Sequence, residues 1–189
     1  MKQDKYYIER VLKGDINAFS YLVDNHKGMV YTIALRMLKN AEDAEELAQD
    51  TFIKAFKSLE KFKFESKFST WLYRITYNGA ISKLRKKQIE MYDVEDAVLH
   101  EHEVVSVYNA INEIKKSEQK KYINEVIENL KEDDAFIITM YYLQENTIEE
   151  ICEITQLSIS NIKVKLHRAR KRFYDELKAI LKDEVKAIL

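Results

Sequence analysis

The 189 residues contain no proline and only three glycines, Gly14, Gly28 and Gly79. Proline and glycine are the strongest breakers of regular structure, so almost nothing here interrupts a helix. Signals for β-hairpins are few as well. The expected fold class is therefore all-α. Three glycines spread this far apart also leave no glycine loop to cradle a phosphate.

The length fits one or two domains with real cores. Apolar residues make up 46% and charged residues 33%, as in ordinary soluble helical proteins. No apolar run approaches the ~18 to 20 residues of a membrane span. The opening "MKQDKYYIER" holds no hydrophobic signal segment, which points to the cytoplasm. The single cysteine, Cys152, rules out an intrachain disulfide and a thiolate-rich zinc site. It lies in "IEEICEI", a pattern that suits a small buried side chain. The histidines at 26, 100, 102 and 167 form no HExxH spacing. The tract "HEHE" at 100–103 lacks a fixed outer shell, so no metal site is expected there. No nucleophile–base pair, metal spacing or phosphate loop supports an enzyme or a cofactor.

The net charge of −1 hides three blocks. Residues 1–92 are net +5, residues 93–135 net −7, and residues 136–189 net +1. The acidic middle has no clear helical stripe at first, and a flexible acidic linker is expected over 92–117.

The C-terminal block carries "NIKVKLHRARKRF" (161–173), with six lysines and arginines and no acidic residue. It follows a densely apolar stretch, "DDAFIITMYYLQ" (133–144), which is expected to form a buried first helix, and then "ENTIEEICEITQ". Thr147 and Glu150 match a capping box, so a helix is expected after Thr147. A turn at 156–158 leads to a second helix capped by Ser158 or Ser160. Ile162, Leu166, Ala169 and Phe173 give that helix one apolar stripe. Ser160, Lys163, Val164, His167 and Lys171 fall opposite it, with Arg168 and Arg170 on the flanks. Two helices, a tight turn and a basic outer face describe a helix-turn-helix, whose second helix enters a major groove. The bland reading is a helical hairpin with a solvated basic face.

The N-terminal block offers two further surfaces. In "AEDAEELAQDTFIKAFKSL" (41–59) a helix capped by Asn40 is expected. Ala44, Leu47, Ala48, Phe52, Ala55, Phe56 and Leu59 form its apolar face. Glu42, Asp43, Glu45, Glu46 and Asp50 make the first half of its other face acidic. That face is either solvated or a docking surface for a basic partner. In "KFKFESKFSTWLYRITYNGAISKLRKK" (61–87), eight basic residues alternate with six aromatics. A loop then leads into a helix from about Ser69. Phe68, Leu72, Ile75 and Gly79 suit a core, whereas Trp71, Arg74, Asn78 and Arg85 form a stripe of poor core chemistry. Rings that stack on bases and cations that track phosphates suit an unpaired nucleic-acid strand.

Together, GDINAFSYLV (14–23), NAEDAEELAQDTFIKAFKSL (40–59), FSTWLYRITYN (68–78), LRKK (84–87) and NIKVKLHRARKRF closely resemble bacterial sigma factors. The compact size resembles the extracytoplasmic-function group of the sigma-seventy family, which keeps the second and fourth regions. The resemblance covers roughly 10–90 and 120–180 and implies two small helical domains. Residues 1–91 would be the region 2 bundle, 92–117 the linker and 118–189 the region 4 helix-turn-helix. It implies that Glu46, Gln49 and Asp50 contact core RNA polymerase. It places Phe62, Phe64, Trp71, Tyr73 and Asn78 at the unpaired strand of the −10 element. Arg74, Lys83, Arg85, Lys86 and Lys87 would hold its backbone. Ser160, Lys163, Val164, His167, Arg168 and Arg170 would meet the duplex −35 element. Family members are often held by an anti-sigma factor, a candidate partner here that no residue identifies. The implied role involves no small-molecule substrate. Ser82 stands where the family often has aspartate, and Gln156 where it often has glycine. A stand-alone helix-turn-helix regulator is the alternative, and it leaves 61–87 unexplained.

Overall fold

A computed structural model describes residues 2–89 and 116–188. Residues 92–115 of the expected linker, including "HEHE", lie outside the described residues. Every regular element among the described residues is helical, with no strand. The helices are α1 (Lys2–Leu12), α2 (Ala18–Leu38), α3 (Ala41–Lys57), α4 (Phe68–Ile89), α5 (Lys116–Asn129), α6 (Glu132–Ile138), α7 (Ile148–Thr155) and α8 (Ile159–Ile188). A 3-10 turn spans Leu59–Lys61 and a π-helical turn spans Thr139–Leu143. No described helix is long and apolar enough to cross a membrane.

The described chain divides into two compact units. One holds residues 2–89 together with Glu149–Leu157; the other holds 116–148 and 158–188. In the first, α2 packs against α1, α3 and α4, and α3 packs on α4. Ile8, Phe19, Leu22, Val30, Phe52, Leu59, Phe62, Phe68 and Leu72 close its core. Each such side chain contributes roughly 1.5–3 kcal/mol by leaving water. The expected apolar face of α3 is largely the buried one, through Ala44, Leu47, Phe52, Ala55 and then Leu59. Ala48 is half-buried and Phe56 is partly exposed, against Phe19. The Asn40 side chain caps α3 by accepting from the Asp43 N–H at 2.9 Å.

Helices α3 and α4 approach closely at Gly79. A Cβ there would stand 2.4 Å from Leu47 Cδ1, so any side chain at this position requires the buried Leu47 side chain to move. Thr51 and Thr76, both buried, return their hydroxyls to the carbonyls of Leu47 and Leu72. This satisfies two polar groups inside the seam.

In the second unit α8 packs on α5 and α6. Helix α5 begins at Lys116, two residues inside the expected linker. The apolar stretch 133–144 is not one helix. α6 gives way at Thr139 to a wider turn, in which the Gln144 N–H donates to the Thr139 carbonyl at 3.0 Å. Helix α8 runs on to Ile188, well past the basic segment, because no glycine or proline stops it.

Candidate nucleic-acid interface

The turn before α8 is built without glycine. Gln156 takes a left-handed φ of 62° and ends α7. Its N–H donates to the Cys152 carbonyl at 2.8 Å, and its Nε2 donates to the Glu153 carbonyl at 2.7 Å. An amide side chain thus satisfies a carbonyl that the helix end leaves open. Ser158 caps α8: its Oγ accepts from the Asn161 N–H at 3.3 Å. Ser160 Oγ lies 3.1 Å from Ser158 Oγ and does not cap. Cys152 is half-buried rather than fully buried, and burial with the nearby Glu149 charge pushes its thiol pKa up. That disfavours the reactive thiolate.

On α8 the expected stripe is inward: Ile162, Leu166 and Ala169 are buried, and Phe173 is half-buried. Ser160, Lys163, Val164, His167 and Arg168 are exposed. Arg170 departs from its expected place on the DNA face. Its guanidinium carbon lies 5.5 Å from the ring centroids of both Tyr141 and Tyr142. The π-helical turn brings these consecutive rings to one cation. Lys165 bonds Asp133 at 2.7 Å, and Arg172 bonds the buried carboxylate of Asp134. Three of the six basic side chains therefore hold α6 and the turn after it. The sequence gives no local sign of this, because the partners lie some thirty residues upstream.

In the first unit, the loop after the 3-10 turn presents Phe64 with φ of 59°, 40% exposed. Phe62 does not share that exposure. It is buried, within 4.9 Å of Phe64, 5.2 Å of Trp71 and 5.7 Å of Phe68, ring centre to ring centre. Tyr73 is also inside, 3% exposed, its hydroxyl donating to Met29 Sδ at 2.8 Å. Burial pushes its pKa up to about 12. Both positions differ from the expected strand-facing ones, for the core of the bundle claims their area. Trp71 is half-buried against Phe62 and Phe68, while Arg74, Asn78, Arg85 and Lys86 are exposed along α4. The side chain of Lys87 lies outside the described residues.

On α3, Glu46 and Gln49 are exposed and Asp50 half-exposed. Lys83 joins this face to α4: its Nζ lies 2.5 Å from Glu46 Oε2 and 3.8 Å from Asp43 Oδ1. The hydrogen bond that Lys83 donates to the Glu46 carboxylate holds the lysine pKa above its ordinary value. Sequence assigned Lys83 and Glu46 to separate surfaces; the fold ties them together.

The sequence profile of sigma-70 region 2 matches residues 22–89, and that of sigma-70 region 4 matches residues 120–173. The chain is 33% identical over 182 residues to the ECF RNA polymerase sigma factor SigW of Bacillus subtilis, across 92% of this chain and 96% of that one. The chain belongs to the ECF sigma factors. This sigma factor is also 32% identical to the ECF RNA polymerase sigma-E factor of Haemophilus influenzae, over 94% of this chain and 97% of that one. Among solved structures it resembles CnrH in complex with the cytosolic domain of CnrY, with a TM-score of 0.63, 19% identity and coverage of 94% and 98%. It also resembles the sigma factor RpoE in complex with the anti-sigma factor NepR from Bartonella quintana, with a TM-score of 0.61, 24% identity and coverage of 85% and 96%. At these identities the two structures share the fold of this sigma factor.

Proposed function

We propose that this chain is a dissociable initiation subunit, not a catalyst, which docks on core RNA polymerase and selects promoters in the cytoplasm. The observation that carries the reading is a pair of unlike polar faces on one ECF chain. The face on α4, with Arg74, Asn78, Arg85 and Lys86, leads from an exposed aromatic loop. The face on α8, with Ser160, Lys163, Val164, His167 and Arg168, is a helix surface suited to a major groove.

In this reading residues 1–91 form the polymerase-binding and strand-opening module and 118–189 the duplex-reading module, with 92–117 between them. Glu46, Gln49 and Asp50 meet polymerase. Phe64, Trp71 and Asn78 meet the unpaired −10 strand, and Arg74, Lys83, Arg85, Lys86 and Lys87 its backbone. Phe62 and Tyr73 support those groups from the core rather than touching the strand. Arg170 shapes the duplex-reading helix from behind. Flipping a base out of the stack costs a few kcal/mol, and a fitted aromatic surface offsets that at chosen sequences. Two weak readers joined in one chain gain affinity when polymerase sets their spacing. An anti-sigma factor would silence the protein by covering either face.

The test is run-off transcription with core polymerase and a library of promoter fragments. Promoter-specific transcripts should depend on this protein and fall with Asn78→Ala, or with Lys163→Ala plus Arg168→Ala. Tight, polymerase-independent duplex binding without transcripts would leave a helix-turn-helix regulator instead.

A further inference from the structure

In sequence, the surface suited to unpaired strand begins near residue 61. In three dimensions it continues onto α1. The Lys5 Nζ lies 5.6 Å from the ring centroid of Phe64, and its side chain is otherwise exposed. Its nearest carboxylate, Glu9, is 3.9 Å away on the same exposed helix face, a pairing too loose to hold it.

The neighbourhood fixes this approach. Asp4 Oδ1 lies 3.2 Å from His26 Nε2, pinning the first turn of α1 to α2. The His26 ring meets Phe68 edge-on at 5.5 Å, at the start of α4. Helix α1 also packs on the 3-10 turn that leads into Phe62. Phe64 itself adopts a left-handed backbone that a bulky residue rarely takes, with its ring partly in solvent. A ring held outward beside a cation is the pairing that binds a base and its phosphate. Residues 1–21 fall outside the region 2 match, so this contact adds to what that match covers.

We propose that α1 is part of the unpaired-strand surface, with Lys5 and Phe64 together binding one nucleotide step. The ring stacks on the base and the ammonium meets the adjoining phosphate. This rests on the initiation reading above and extends it to a residue outside the region 2 match.

The full chain, assembled with core polymerase, is titrated with fork DNA carrying an unpaired non-template tail, over a range of salt. A phosphate contact on a single strand contributes about 0.7 to the slope of log affinity against log salt. Lys5→Gln should weaken binding roughly three- to tenfold at low salt and flatten the slope by about 0.7. Lys5→Arg should restore both. Phe64→Ala should weaken binding about tenfold with the slope unchanged, since stacking releases no counterion. Lys13→Gln, in the turn just past the end of α1, should match wild type. An unchanged slope for Lys5→Gln overturns the proposal: with weaker binding Lys5 only braces Phe64, and with normal binding it is idle. If wild-type protein gives polymerase no added hold on the fork, the initiation reading falls too.

Discussion

Six basic side chains between Lys163 and Arg172 look alike in sequence, yet they split by what they touch. Lys163 and Arg168 are exposed, whereas Arg172 bonds a carboxylate on Asp134 that is only 7% exposed. Removing one partner of a pair with one buried member strands a charge. Arg172→Met should therefore cost about 2 kcal/mol, discounted because the arginine is partly solvated. Arg168→Ala should stay within about 0.5 kcal/mol of wild type and weaken duplex binding instead. Chemical denaturation and salt-dependent DNA titration of the two variants separate these outcomes. Tyr73 gives a pH test. Its pKa of about 12 in the folded chain lies above the ordinary value of 10, so the folded state disfavours the phenolate. Stability is intact below pH 10 and is lost as pH rises towards 12, by up to about 3 kcal/mol for two pH units. Tyr73→Phe should lack that loss, as seen in the difference between the two alkaline denaturation curves.

At the scale of elements, existence was easier to read than boundaries. The starts of α3 and α8 were legible because Asn40 and Ser158 are local caps. The end of α6 was not: a run of apolar residues does not distinguish an α turn from a π turn. The turn before α8 needed a left-handed residue, and Gln156 supplies it with a side-chain hydrogen bond in place of glycine's freedom. Gly79 was legible as a core position, but its reason was not. It admits Leu47 from the neighbouring helix. Gly79→Val should push the buried Leu47 side chain out of its place and cost about 2 kcal/mol, beyond any gain in helix preference. Thermal unfolding followed by helical signal measures it. A stable Gly79→Val would mean that Leu47 repacks freely.

At the scale of the whole molecule, the proposed function depends on two faces acting on one promoter. Their losses should differ in kind. Asn78→Ala should leave capture of the duplex intact and reduce strand opening about tenfold, the worth of one good polar or stacking contact. Lys163→Ala with Arg168→Ala should reduce capture and flatten the salt slope by nearly 2, one unit per duplex phosphate contact. Footprinting on duplex promoter, together with reactivity of unpaired thymines, reports both steps in one preparation. Equal losses in both steps from either variant would show that the faces do not act separately.

The amino-acid sequence by itself determined the helical class, the apolar faces of α3 and α8, and the two basic regions. These follow from periodicity, capping residues and missing breakers, all of which act within a few turns of chain. Tertiary structure decided which charges are available. It turned Arg170 onto Tyr141 and Tyr142, paired Lys83 with Glu46, buried Phe62 and Tyr73, and set Lys5 over Phe64. Most of these contacts join residues far apart along the chain. A side chain's partner is chosen by the packing of helices, and no local pattern carries that information.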